Sequence, residues 1–257
     1  MNWREQYTAL MTLLRKEIRR YLRIWTQTLL PSAITMSLYF VIFGSLIGSR
    51  IGEMGGFTYM EFVVPGLIMM AIVTNSYSNV VSSFFGSKFN HSVEELLVSP
   101  TPNYIILLGY VLGGASRGLL VAIVVSLVSL FFTHLQIHNL FVVVVIVLMT
   151  STLFALAGFI NAVYANNFDD ISIVPTFVLT PLIYLGGVFY SMELLPTFWA
   201  NVSKLNPLVY VVNAFRYGVL GVSDVSLTIA FGMIALFTVL AWCYSLHLLN
   251  TGKRLRQ

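Results

Sequence analysis

Residues 140 to 164, LFVVVVIVLMTSTLFALAGFINAVY, run for 25 positions without one charged side chain. About 20 such residues in a helix cross the hydrocarbon of a bilayer, whereas a surface helix in water keeps a polar stripe. Six long apolar stretches with at most one charge occur, at about 29–47, 62–86, 104–132, 140–164, 173–190 and 226–249. Charged residues make up 9% of the 257, against about 25% in an ordinary soluble domain. Lipid offers no partner to a free backbone amide, so a spanning segment is a helix or part of a closed barrel, and the period-2 alternation of barrel strands is missing here. The expectation is an all-α integral membrane protein with six transmembrane helices. No repeat, low-complexity segment or linker divides residues 1–257, which read as a single transmembrane domain.

Nine of the fourteen basic residues lie at the two ends: Arg4, Arg15, Lys16, Arg19, Arg20 and Arg23 in the first 25 positions, and Lys253, Arg254 and Arg256 in the last five. An even number of spans puts both ends on one side, and the positive-inside rule makes that side the cytoplasm. Topology and anionic lipid account for the net charge of +4, so no nucleic-acid partner is expected. Cys243 is the only cysteine, which excludes an intrachain disulfide.

Before the first span, Trp3, Tyr7, Leu10, Met11, Leu14, Ile18, Tyr21, Leu22 and Trp25 recur at spacings of three and four among the basic residues. This pattern predicts an amphipathic helix over 1–25 lying in the membrane interface. A secretory signal would have a short basic start, and here the basic residues extend to position 23. The fifth stretch is short and broken by Pro175, Pro181 and Gly186-Gly187. Two short helices are expected after it, on the outer side: 196–205, beginning at Pro196, and 207–220, with Asn206 as N-cap, Pro207 at the first position and Arg216 within it. They are either interfacial ornaments or the cap of an exit route.

Motifs for chemistry are scarce. The only Gly-Lys pair, Gly252-Lys253, has His247 where a phosphate-binding loop needs its first glycine and Arg254 where it needs a hydroxyl. His134 and His138 have the spacing of helix-borne zinc ligands, but Leu135 stands where the general base belongs. No catalytic, cofactor-binding or metal residues are expected. An ion-coupled carrier usually has acids within its spans, and all ten acids here fall in loops, termini or span edges. Arg117 alone is a charge deep within a span, at a depth similar to that of Asn75 on span two. Asn75 and Asn79 stand one helical turn apart and either bond a neighbouring helix or line a path. Arg117 is either a structural arginine bonded to asparagines or carbonyls, or part of a polar relay. The four-residue spacings of Gly44, Gly48 and Gly52, of Gly109 and Gly113, and of Gly114 and Gly118 favour close helix approach, a second copy included.

Between spans two and three, Ser92 and Glu95 have the spacing of a capping box, Glu94 and Glu95 suit a first turn, and Pro100 and Pro102 end the segment. A helix this short, about 90–99, is unstable alone in water, so Val93, Leu96 and Leu97 need a surface, either lipid headgroups or a partner.

With a basic interfacial helix, six spans, VEELLVSPTP in the first cytoplasmic loop, and LLP followed by LNPLVYVVNAFRYG after a broken fifth span, the chain resembles the ABC-2 type permeases of ATP-binding-cassette exporters over nearly its whole length. The resemblance implies a bacterial inner-membrane homodimer that carries two soluble ATPase subunits, with ATP and Mg on those partners and none in this chain. It implies that Ser92, Val93, Glu94, Glu95, Leu96 and Leu97 form the coupling helix seated in an ATPase groove, flanked by the N-terminal connecting helix. Exported cargoes in such a family include drugs, lipid-linked sugars and polysaccharides. The alternative is an ion-coupled secondary transporter or channel.

Overall fold

The computed structural model describes residues 1–134 and 137–252. Leu135 of the two-histidine motif, and Lys253, Arg254 and Arg256 of the orientation argument, lie outside the described residues.

Helix α1 (Trp3–Arg23) is followed by a single turn, α2 (Trp25–Thr28), and by α3 (Leu30–Phe40). The break before α3 follows from Pro31, which has no amide hydrogen and is tolerated only in a first turn. After α3 the ladder loosens into a π-helical stretch, Val41–Ile47, and ends in α4 (Gly48–Ile51). A two-stranded hairpin, β1 (Glu53–Met54) and β2 (Phe57–Thr58), leads into α5 (Tyr59–Phe89). Thr58 and Glu61 start α5 with a reciprocal cap: the Thr58 amide donates to Glu61 Oε2 at 2.9 Å, and the Glu61 amide donates to Thr58 Oγ1. Then come α6 (Ser92–Val98), α7 (Asn103–Ser129), α8 (Leu140–Tyr164), α9 (Asp170–Val174), a second π stretch (Pro175–Leu179), α10 (Thr180–Tyr184), α11 (Thr197–Ser203), α12 (Pro207–Leu220) and α13 (Leu227–Thr251).

Among the described residues, five helical segments are long and apolar enough to cross a membrane: Trp25–Gly44, Tyr59–Phe89, Asn103–Ser129, Leu140–Tyr164 and Leu227–Thr251. The stretch expected at 173–190 is helical only over Asp170–Tyr184 and then turns at Gly187, which has φ +73°. At 1.5 Å per residue that helix is about 22 Å long, shorter than the roughly 30 Å of hydrocarbon. Other bounds move too. The expected 1–25 helix breaks at Ile24, and 62–86 lengthens to Tyr59–Phe89. The segment at 104–132 ends at Ser129, and 196–205 narrows to Thr197–Ser203.

Helix α5 is the centre, with α7 and α8 against it, α1 on α7, and α12 among α5, α8 and α13. Glycines permit this. A Cβ added to Gly158 of α8 would sit 2.5 Å from the Tyr77 carbonyl of α5, and one on Gly114 of α7 would sit 2.6 Å from Val80 and 3.0 Å from the Ser76 carbonyl. On the other face of α7, Gly109 and Gly113 receive Leu13 and Glu17 of α1. The glycine spacing of span three therefore serves contacts within the chain.

Both described ends of the chain lie at the α6 end of the bundle. The Tyr104 hydroxyl donates to Gln6 Oε1 at 2.7 Å, and Asn103 Nδ2 donates to Asn250 Oδ1 at 2.8 Å. The hairpin, the start of α8 and the segment after α10 form the opposite end, where the amides of His138 and Asn139 donate to the carbonyls of Val219 and Gly218.

Gly158→Ala is expected to destabilise the detergent-purified protein by about 1 to 3 kcal/mol through overpacking against α5. Gly232→Ala on α13, where a Cβ meets nothing within 4 Å, is expected to leave stability unchanged or slightly raised. Thermal unfolding of the two variants side by side checks the pair.

Candidate coupling site and polar belt

Between α5 and α6 the chain turns on His91, whose φ of 57° and ψ of 5° place a non-glycine residue in the left-handed region. Helix α6 begins at Ser92, so the Ser92–Glu95 capping box does not form. Ser92 has already entered the helix, and its hydroxyl donates instead to the Ser87 carbonyl at 3.1 Å. His91 approaches Glu94 at 3.5 Å, and Ser99 ends the helix in an extended conformation ahead of Pro100, its hydroxyl donating to the Leu96 carbonyl.

The surface that stabilises α6 is the chain itself. Val93 is buried in a cluster with Phe85, Ile106, Val163 and Ala165, and Leu96 and Leu97 pack partly against it. Leu96 and Leu97 remain half-buried at the edge of this cluster. Of this helix, Glu95 and Val98 face outward, Val98 with 87% of its surface exposed. Beside α6 runs a groove of about 550 Å³ lined by Arg4, Thr8 and Thr12 of α1 with Leu96, Ser99 and Thr101.

Of the apolar stripe of α1, Trp3 and Tyr7 are exposed and Tyr21 is buried. Its buried face is Leu13, Glu17 and Tyr21, one residue per turn. Glu17 is 1% exposed and accepts from Ser83 Oγ of α5 at 2.6 Å, with Arg20 Nη2 at 3.4 Å. Arg20 also donates to the carbonyl and side-chain oxygens of Asn79 at 2.8 and 2.9 Å, and the Tyr21 hydroxyl meets Ser116 of α7. One turn further along α5, Asn75 Oδ1 accepts from Arg117 Nη2 at 2.9 Å while its Nδ2 donates to Ser32 of α3. The same Arg117 nitrogen reaches the Thr28 carbonyl. Asn75, Asn79 and Arg117 are thus brought into one belt that fastens α1 and the first span to α5 and α7.

The sequence reading missed Glu17, Arg20 and Lys88. Lys88 is buried and donates to the carbonyls of Val163 and Ala165 at 2.8 and 2.7 Å. Glu17 was legible in principle, because it stands four residues from both Leu13 and Tyr21 and matches the Gly109–Gly113 spacing on α7.

At the opposite end, Asn206 Oδ1 accepts from the Leu208 amide at 3.0 Å, Pro207 occupies the first helical position, and Pro196 precedes α11. Helix α12 is buried on nearly every face. Arg216 lies 3.9 Å over the Phe62 ring and donates to the Gly187 carbonyl at 2.6 Å. His138 packs edge-on against Tyr217, and no group of three metal-ligating side chains exists among the described residues.

The Arg117–Asn75 contact is expected to carry a coupling energy of about 0.5 to 3 kcal/mol in a double-mutant cycle of Arg117→Met and Asn75→Ala, read by unfolding in detergent. Strict additivity would show that the pair does not interact.

A family model described as ABC-2 type transporter matches residues 8–220. The chain is 56% identical over 250 residues to the Inner membrane transport permease YadH of Escherichia coli strain K12, covering 97% of this chain and 98% of that one. It is 23% identical over 244 residues to Nodulation protein J of Neorhizobium galegae, covering 95% and 92%, and 22% identical over 214 residues to that of Rhizobium leguminosarum bv. trifolii, covering 83% and 82%. With a match over most of its length and several apolar helices of spanning length, this multi-pass membrane chain belongs to the ABC-2 type transporter family.

Proposed function

We propose that the chain is the permease subunit of an ATP-driven exporter in a bacterial inner membrane, working as a homodimer with two soluble ATPase subunits that bind ATP and Mg. Its α6 end faces the cytoplasm, with both termini, and Asp170–Tyr184 completes a fifth crossing of six through a locally thinned bilayer. Helices α11 and α12 then belong to the outer side. The inner-membrane location follows the similarity to the Escherichia coli permease, and export of a lipid-linked sugar, a polysaccharide or a drug is the cargo class in keeping with the family.

The observation that carries this reading is the outward side of α6. A seven-residue helix is seated on its own chain through Val93 and still presents Glu95 and an almost fully exposed Val98 beside the groove formed with α1. A partner protein fits an acidic patch with one apolar knob better than an anionic leaflet does. Val98→Asp is expected to leave the protein in the membrane but to abolish co-purification of the ATPase, whereas Leu97→Asp, half-buried, is expected to lower accumulation itself. Co-purification unchanged by Val98→Asp overturns the docking assignment.

Among the described residues, the buried Glu17 is the acid an ion-coupled carrier could use, but Arg20 and Ser83 already occupy it. Transport that continues after the proton gradient is collapsed, with ATP intact, decides for the exporter. The orientation has its own test: a cysteine at Lys204 in a Cys243→Ser background is expected to react with a membrane-impermeant maleimide in intact spheroplasts, and reaction only after lysis inverts the topology.

A further inference from the structure

Lys88 lies outside the belt described above, in the last turn of α5, three residues before the His91 pivot. Its ammonium is buried, and Nζ donates at 2.8 and 2.7 Å to the carbonyls of Val163 and Ala165. These carbonyls belong to the end of α8, where the helix leaves acceptors without an internal donor and where the dipole is negative. A cation buried there is held by fixed partners. Lys88 therefore ties the end of α5 to the end of α8.

The 165–169 connection beyond α8 is braced to the same turn. The Phe168 ring packs 5.0 Å from both Phe85 and Phe89 of α5. The Asn166 amide donates to Asp170 Oδ2, the Asp170 amide to Asn167 Oδ1, and Asn161 Nδ2 to the Ile171 carbonyl, which fixes the start of α9 on the same connection. Val93 of α6 shares its buried cluster with Val163 and Ala165. Helix α6 on one side and the base of α9 on the other are thus attached to a single block with Lys88 at its centre. Beyond α9 the helical ladder is interrupted. Pro175 and Pro181 each remove an amide donor, and the intervening ladder is π-helical, so the segment can bend when its base moves.

We infer that Lys88 is a positioning residue that carries displacement of α6 through the 165–169 connection into the Asp170–Tyr184 helix. This rests on the reading of α6 as the ATPase-docking element. Through its two carbonyl acceptors Lys88 keeps the α5–α6 and α8–α9 connections moving together.

The test uses the permease purified with its ATPase. A single cysteine replaces Phe177, which is exposed on the π stretch, in a Cys243→Ser background, and its rate of maleimide labelling is compared without nucleotide and after trapping with ATP and vanadate. The parental complex is expected to change its labelling rate on trapping. Lys88→Met is expected to lose that change while the ATPase remains bound, and Lys88→Arg to restore part of it. A parental response in Lys88→Met with the ATPase bound, or no response in the parental complex, overturns the inference. Phe168→Ala, at an exposed position, serves if Lys88→Met does not accumulate: a reduced response supports the inference and an undiminished one overturns it. Absence of the ATPase from the parental preparation overturns the export reading, and this inference with it.

Discussion

The bundle depends on how closely α7 and α8 approach the backbone of α5. Between helices in lipid there is no gain from removing apolar surface from water, so cohesion has to come from dispersion contacts and hydrogen bonds at short range. Gly114, Gly118 and Gly158 supply the first by leaving room for Val80, Ser76 and the Tyr77 carbonyl. Once these three helices are in register, Gly109 and Gly113 present a second smooth strip on the far side of α7, and α1 lies in it. The N-terminal helix is therefore a consequence of the central packing and not an independent appendage on the membrane surface.

Where charge enters the interior, it is matched to backbone acceptors, an aromatic ring or an opposite charge. Lys88 takes carbonyls at the end of α8, Arg216 those of Gly187 and Phe62 together with the Phe62 ring, and Arg117 the Thr28 carbonyl at the break between α2 and α3. Glu17 pairs with Arg20 and Ser83. Each of these contacts sits at a discontinuity of a helix or joins two separate helices, so each fixes the direction in which a segment leaves the bundle. A low-charge sequence of this kind uses its few ions as joints.

Much of the helical plan was legible because long apolar runs have only one solution in lipid, and α8 at Leu140–Tyr164 coincides with its uninterrupted stretch of sequence. Asn206-Pro207 announced α12 for a local reason, the cap and the missing amide. The features that were not legible depend on contacts between distant residues. The burial of α12 on nearly all sides, and that of Leu13 and Glu17 on α1, are set by which neighbours arrive. The Ser92–Glu95 spacing pointed to a cap that the left-handed turn at His91 makes unnecessary. In the candidate site, Asn75, Asn79 and Arg117 stood out as polar residues in apolar runs. Lys88 did not, because a lysine at the end of a span reads as an ordinary snorkelling cation.

Arg216 and Phe62 are 154 positions apart in the chain. During synthesis α5 leaves the ribosome long before α12 exists, so the ring and carbonyl that receive the guanidinium are in the membrane while α7 and α8 are still being inserted. The clamp closes only when nearly all of the chain has been made, and it joins the start of α5 to the turn at Gly187 in one step. The polar belt of Glu17, Arg20 and Asn79, by contrast, draws on residues that emerge within the first third of the chain. Assembly of this protein accordingly follows chain order contact by contact: the Glu17–Arg20–Asn79 belt can form early, whereas the Lys88 contacts, the Arg216 clamp and the Asn103–Asn250 bond wait for later segments.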